Sequence, residues 1–381
     1  MKIVIAPDSY KESLSALEVA TQIELGFRQI FPQAEYVKLP MADGGEGTVQ
    51  AMVEATQGRL VEVRVTGPLG QPVTGFYGLT GDGHTAVIEM AAASGLALVP
   101  AAQRNPEITT SYGMGELIAA ALDAGARQLI LGLGGSATND GGAGMLQALG
   151  VRLLDAAGNA LERGGAALAQ LAHIDASGLD ARLRACRIDV ACDVDNPLTG
   201  ARGASAIFGP QKGATPAMVE RLDAALAHYA AIIARDLGVA VDAVAGAGAA
   251  GGMGAAMLAF LQGQLRPGCD IIAQALGLDA AVQEADLVIT GEGRIDQQTI
   301  FGKTPFGVAT VAKRHGKPVI GIAGSLGQNA EVVHAHGIDA TFSVLSRICT
   351  LPEALTEAEH NLRSTARNIA AVLAMGMGMH H

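Results

Sequence analysis

The chain opens on an apolar, β-branched run at 2–6 (Lys2-Ile3-Val4-Ile5-Ala6), the pattern of a strand buried on both faces of a parallel sheet. A turn at Asp8-Ser9-Tyr10-Lys11 follows, and Ser15-Ala16-Leu17-Glu18 has the spacing of a capping box. Ala20, Ile23, Phe27 and Ile30 then recur at helical spacing, which predicts an amphipathic helix over 15–31. A second strand is expected at 36–40, and Asp43-Gly44-Gly45-Glu46-Gly47 leads into a helix ending near Gln57. This β-turn-α-β-turn-α order begins a doubly wound sheet.

From 59 to 91 the pattern changes to short alternating runs broken at Gly67-Pro68, Gly70 and Gly81-Asp82-Gly83, which reads as hairpins. A strand at 128–133 enters the glycine-rich loop 134–142 and a helix to 149. Another strand, 188–192, ends on Asp193-Val194-Asp195-Asn196-Pro197. Beyond about 265 the first rhythm resumes, with buried-strand runs at 287–290 and 319–323 that each end in a glycine-rich turn. A last strand is expected at 341–345 and a helix at 352–376. The predicted fold is α/β in two domains. One is a discontinuous Rossmann-like or flavodoxin-like parallel-sheet domain, 1–64 plus 266–381; the other is an inserted α/β domain, 65–265.

Composition narrows the classes of function. With 381 residues, 49% hydrophobic and 17% charged, the chain can bury large cores. Its 50 glycines sit in clusters between apolar runs, as at strand ends of α/β proteins. A net charge of −11, 3% aromatics and no Trp argue against nucleic-acid or anionic-membrane partners. Small-molecule partners remain. Cys186, Cys192, Cys269 and Cys349 show neither CxxC spacing nor a disulfide framework. The first apolar run is too short for a signal peptide and the Ala/Gly-rich stretch 243–261 is broken by glycines, so a cytoplasmic enzyme is expected. The closing His380-His381 pair carries no weight in this reading.

Candidate chemistry falls at strand ends, where ligands bind in parallel α/β sheets. Asp8-Ser9 with Lys11, Asp43 to Gly47, Gly134 to Gly142, Asp193 with Asp195, and Gly291-Glu292-Gly293-Arg294-Ile295-Asp296 each join carboxylates or cations to glycine-rich turns. Carboxylates hold Mg²⁺ and turn N–H groups bind phosphate oxygens, which together suit phosphoryl transfer. Each Asp also has the plainer reading of a helix cap. Gly302-Lys303-Thr304 ends like a Walker A loop but lacks the earlier glycine, so a P-loop is rejected. Gly246-Ala247-Gly248-Ala249-Ala250-Gly251 matches a dinucleotide fingerprint with Asp270 beyond it, though the strand before it is weak; close helix packing or approach to ATP phosphates are the alternatives. His334 and His336 are two apart and cannot share a helix face. Lys212, in Gly209-Pro210-Gln211-Lys212-Gly213, either faces phosphate or decorates a surface loop.

Seven segments in order resemble the type 1 glycerate kinases of bacteria: IVIAPDSYKESLS from Ile3, PMADGGEG from Pro40, GLGGSATNDGGAG from Gly132, ACDVDNP from Ala191, FGPQKG from Phe208, GAGAAGGMG from Gly246 and TGEGRID from Thr290. The resemblance implies ATP- and Mg²⁺-dependent phosphorylation of D-glycerate in a cleft between two α/β domains. It favours 2-phospho-D-glycerate over the 3-phosphate, and a place in sugar-acid or glyoxylate catabolism. Asp193 and Asp195 are the first candidates to take the hydroxyl proton, then Asp43 and Asp8; Asp43 and Asp193 are candidates for Mg²⁺. Arg294, with Lys11 and Lys212, would face the substrate carboxylate or the transferring phosphoryl. Asp8, Ser9, Asp43, Gly44, Gly45, Ser136, Thr138, Asn139, Asp140, Glu292, Asp296 and Ser325 would line the substrate and phosphate sites. A monomer or homodimer is expected. A hydroxy-acid dehydrogenase is the main alternative, but it needs GxGxxG in the first βα turn, which reads Ala6-Pro7-Asp8-Ser9-Tyr10-Lys11. A non-catalytic ligand sensor would need an attached DNA-binding or signalling segment.

Overall fold

The structure, a computed structural model, describes residues 1–378, so the His380-His381 pair lies outside the described residues. Its strands are β1 Lys2–Ile5, β2 Glu35–Lys38, β3 Arg59–Thr66, β4 Pro72–Leu79, β5 Thr85–Glu89, β6 Gln128–Gly132, β7 Arg152–Leu154, β8 His173–Asp175, β9 Arg187–Ala191, β10 Gln264–Arg266, β11 Leu287–Ile295, β12 Val319–Leu326 and β13 Ala340–Ser343. The chain divides into two compact units. The first takes Met1–Asp43, Gln50–Gln57 and the described chain from Gly268 onward; the second takes Gly44–Val49 and Gly58–Pro267.

The first unit is built on a fully parallel sheet in the order β13-β12-β11-β1-β2. Ile3, Val4 and Ile5 have no exposed surface, which is why β1 is apolar at three successive positions rather than at alternate ones. The helix Ala16–Arg28 returns the chain to β2. Ser15 caps it and Glu18 reaches back to the Ser15 N–H at 2.7 Å, completing the capping box. Its buried face (Val19, Ile23, Phe27) shares a core with Leu362, Ala366 and Ile369 of the helix Ala358–Gly378. A Cβ on Gly26 would sit 2.5 Å from the Arg363 carbonyl, so this helix pair approaches backbone to backbone.

Two expectations are corrected here. Gly291 to Ile295 and Gly324 to Leu326 are strand, not turn, because β11 and β12 pair with each other past the point where β1 ends. The single helix expected over 352–376 is two, Leu351–Thr356 and Ala358–Gly378, separated at Glu357.

The second unit holds a six-stranded sheet in the order β10-β9-β6-β5-β4-β3 and the small antiparallel pair β7-β8. Pairing is parallel from β10 to β5 and antiparallel from β5 to β3, where the hairpin pattern lies. Gly132 stands in register with Glu89 on one side and Ala191 on the other, so three strands end level. The long helix Pro216–Leu237 is absent from the sequence reading, although its signals are there. Thr215 caps it, Pro216 starts it, Leu222, Leu226, Tyr229 and Ile233 are buried at helical spacing, and Gly238 ends it in the left-handed region. No described helix is long and apolar enough to cross a membrane.

Candidate functional site

In the first unit the candidate site is a set of carboxylates, Asp8 beyond the end of β1 and Glu292 in the part of β11 that runs past β1. Past Ile5 the chain stays locked to its neighbours, with the Asp8 N–H donating to the Gly291 carbonyl and the Met41 N–H to that of Pro7. The Asp8 carboxylate accepts from the Ser9 N–H at 2.6 Å and from the Thr304 hydroxyl at 2.8 Å. Thr304 begins the helix Thr304–Arg314, with Pro305 suited to its first turn. Burial, then the negative charges of Asp43 and Glu292, push the Asp8 carboxyl up to about 6, against the hydrogen bonds from Thr304 and Ser9. Glu292 is also held up by burial; its carboxylate accepts from Thr299 Oγ1 at 2.6 Å and from Lys303 Nζ at 3.3 Å. Tyr10 is buried beside them and donates to the Ile322 carbonyl.

Gly291 has a steric reason for its identity: a Cβ there would lie 1.8 Å from the Ile322 carbonyl oxygen. Asp43 and Ser9 are half-buried near this cluster's strand ends, and Lys11 is exposed. Arg294 is mostly exposed and pairs with Asp296 at 3.2 Å, leaving its guanidinium edge open to solvent. Ser325 stands opposite Arg294 in the β11-β12 register. No local signal marks Thr299, Lys303 or Thr304, since Gly302-Lys303-Thr304 resembles only an incomplete P-loop and its partners Asp8 and Glu292 are distant or separate in sequence.

In the second unit the level ends of β5, β6 and β9 carry the polar groups. Glu89, buried, accepts from the Val49 N–H at 2.8 Å and from the N–H groups of Gly47 and Thr48. It thereby orders the glycine loop that contains Gly44 and Gly45; burial holds its own carboxyl above the usual range. Gly132 must be glycine because the Gly44 carbonyl would lie 2.5 Å from its Cβ. Glu89 was also missed, hidden as the last residue of an apolar strand.

Loop 134–142 is held from inside. Lys212 is buried and donates to Ser136 Oγ at 2.8 Å and to the Thr138 carbonyl at 2.7 Å. Removal from water brings its ammonium down to about 7, with Asp140 acting the other way. Lys212 is thus not a surface-loop lysine. Asp140 is fully buried and accepts from the Ser111 N–H and hydroxyl, both at 2.8 Å, and from the N–H groups of Gly142 and Gly144. Asn139 donates to Ser205 Oγ, and Thr138 is also fully buried. Asp140 and the Asn139 NH2 are thus taken up within the fold, while Thr138 Oγ1 and Asn139 Oδ1 are buried with no hydrogen-bond partner among the described residues. Gly134 and Gly135 are exposed, and their N–H groups donate to no group among the described residues.

Asp193 and Asp195 follow β9 and are exposed; Asp195 pairs with Arg202 at 2.9 Å. The glycine run from Gly246 is not preceded by a strand, so the dinucleotide fingerprint has no βα context. It serves packing instead. Ala250, Gly251 and Gly252 turn left-handed where the helix Ala249–Leu261 begins, and a Cβ on Gly251 would lie 2.0 Å from the Thr138 carbonyl oxygen. Gly251→Ala should therefore cost about 3 kcal/mol or more, read as a lower urea midpoint for the whole chain. An unchanged midpoint would contradict this contact.

One parallel and one mostly parallel sheet, with buried carboxylates and a clamped glycine loop beside their strands, place the chain among α/β proteins whose strand ends receive small ligands. Comparison with known proteins makes this specific. Residues 3–374 match the model of the glycerate kinase family. Glycerate 2-kinase of Escherichia coli K12 is 62% identical over 377 residues, covering 99% of both chains. Glycerate kinase of Bacillus subtilis 168 is 59% identical over 379 residues, covering 100% of this chain and 99% of its own. A solved structure described as a glycerate kinase 2 from Salmonella typhimurium LT2 superposes with a TM-score of 0.93 at 67% identity, covering 99% of each chain. The chain belongs to the glycerate kinase family, and it is an ATP-dependent kinase.

Proposed function

We propose that the protein transfers the γ-phosphoryl group of ATP to the C2 hydroxyl of D-glycerate, giving ADP and 2-phospho-D-glycerate. The observation that carries the reading is the 62% identity, over nearly the whole chain, to a protein called glycerate 2-kinase. In this reaction the hydroxyl oxygen bonds to the γ-phosphorus as the bond to the ADP oxygen breaks, and the hydroxyl proton needs an acceptor. Asp8 fits that role better than the exposed Asp195. Its carboxyl sits near 6, so it is ionised at neutral pH yet basic enough to take a proton.

Thr304 and the Ser9 N–H fix the orientation of Asp8. The Gly134 and Gly135 N–H groups would bind phosphate oxygens. Arg294, with one edge on Asp296 and the other open, would meet the glycerate carboxylate, with Lys11 as the second cation.

Mg²⁺ belongs to the same proposal. Among the described residues no group of three or more His, Cys, Asp or Glu side chains forms a ready metal cage. Mg²⁺ needs none, since it takes one or two carboxylates with phosphate oxygens and water. The repulsion between Asp43 and Asp8 is the kind that a divalent cation relieves. Asp43 would hold it in the first unit, and Asp193 is the candidate in the second; bound there, it would neutralise charge on the phosphates. A cytoplasmic monomer or homodimer acting in sugar-acid or glyoxylate catabolism completes the proposal.

ADP release tests it. We expect ADP only when ATP, D-glycerate and Mg²⁺ are all present, with loss of turnover on adding excess EDTA and recovery on restoring Mg²⁺. ADP formed at the same rate without D-glycerate would overturn the substrate assignment; full turnover in EDTA would overturn the metal.

A further inference from the structure

We propose that the second unit carries a regulatory site for a small organic anion, centred on Arg163. A cavity of about 570 Å³ lies beside the start of the helix Tyr112–Asp123, lined in part by β7 and by Leu161 and Arg163 of the loop that follows it. That volume suits a metabolite-sized ligand. Leu153 and Leu161 give it an apolar wall, and the Arg163 guanidinium lies over the Tyr112 ring, 3.6 Å from its centre.

A guanidinium stacked on an aromatic face keeps its N–H edge free for the paired bonds that carboxylate and phosphate groups accept. Among the described residues no carboxylate forms an ion pair with Arg163, and Glu162 beside it is exposed. Arg152 adds a second cation to the same wall. Its pair with Asp175 is long, 3.6 Å, and open to solvent, so a tighter anion can displace it.

The cavity is wired to the glycine loop. Thr110 and Tyr112 line it, and the residue between them, Ser111, donates both its N–H and its hydroxyl to Asp140 inside loop 134–142. Ser111 Oγ also accepts from the Met145 N–H at 3.0 Å. An anion drawing on Arg163 changes how Tyr112 is loaded, and Ser111 passes the change to Asp140. Carboxylates and phosphates share the recognising chemistry.

Fluorine NMR of 4-fluorobenzoate and 4-fluorophenyl phosphate, titrated separately into the full chain and its Arg163→Ala variant, tests the site and tells the two headgroups apart. We expect at least one probe to bind at millimolar concentration or better, and about tenfold more weakly to Arg163→Ala. We also expect the bound probe to change kcat/KM of the kinase about twofold or more in the wild type only, with basal activity of the variant unchanged. No binding by either probe, or equal binding by both proteins, overturns the site. Arg163-dependent binding with an unaltered rate overturns the regulatory coupling. The binding arm needs no turnover, so it stands apart from the kinase assignment.

Discussion

Asp8→Asn is expected to lower kcat by about a hundredfold or more and, in metal-free buffer at pH 8, to raise the unfolding temperature. The two effects have one cause. An asparagine of almost the same shape keeps the Ser9 N–H bond on its amide oxygen and turns its NH2 towards the Thr304 hydroxyl, which then accepts, but it cannot take a proton. It also carries no charge to be buried against Asp43 and Glu292.

The pH dependence follows from the raised carboxyl. Asp8 ionises at about 6 in the folded chain and near 3.8 when unfolded, so between these values the folded state binds the extra proton. Stability therefore falls as pH rises through this window, and the full penalty, at most about 3 kcal/mol, is present above it. The variant lacks that penalty, so its advantage of a few degrees at pH 8 should vanish near pH 4. Wild-type turnover, or the same thermal shift at both pH values, would remove Asp8 from the role of base.

Lys212→Met carries the other large expectation. Methionine fills the volume of the lysine stem but leaves Ser136 Oγ without its donor and the Thr138 carbonyl without its clamp. With the loop loosened, we expect kcat/KM to fall about a hundredfold with the protein still folded by circular dichroism. A titration signature separates this from simple loss of packing. The Lys212 ammonium loses its proton at about 7 in the folded chain, against 10.5 for an ordinary lysine. The unfolded chain therefore holds the extra proton between these values, and wild-type stability gains as pH rises from 7 towards 10. The Met variant should lack that share of the gain. Identical slopes in the two proteins would mean that Lys212 is not buried as described.

How much of this was legible in the sequence depends on whether the signal is local. The capping box at Ser15 and the apolar run of β1 are local, and the elements appear where the pattern puts them. Glycine and aspartate clusters also marked where β1, β6 and β9 end, but not where β11 and β12 do. What a side chain faces was not. Thr304 reaches Asp8 across 296 positions of sequence, so a motif search sees only a failed P-loop.

The glycines of Thr290 to Asp296 read as a turn, yet Gly291 is glycine because β12 passes too close for a Cβ. Periodicity cannot separate these two uses of the residue. Polar residues inside loop 134–142 looked like ligand contacts because their type suits ligands. In the fold Asp140 is consumed by Ser111 and by backbone N–H groups of its own segment. Glu89 shows the converse: a buried carboxylate at a strand end has no sequence mark beyond being the one polar residue closing an apolar run.

The position of phosphorylation tests the central claim most directly. The protein, ATP, Mg²⁺ and D-glycerate would be incubated with enolase and no phosphoglycerate mutase, following phosphoenolpyruvate by its ultraviolet absorbance. Immediate formation of phosphoenolpyruvate is the predicted result, because enolase accepts the 2-phosphate directly. ADP release with no phosphoenolpyruvate until mutase is added would show transfer to the C3 hydroxyl and contradict the account.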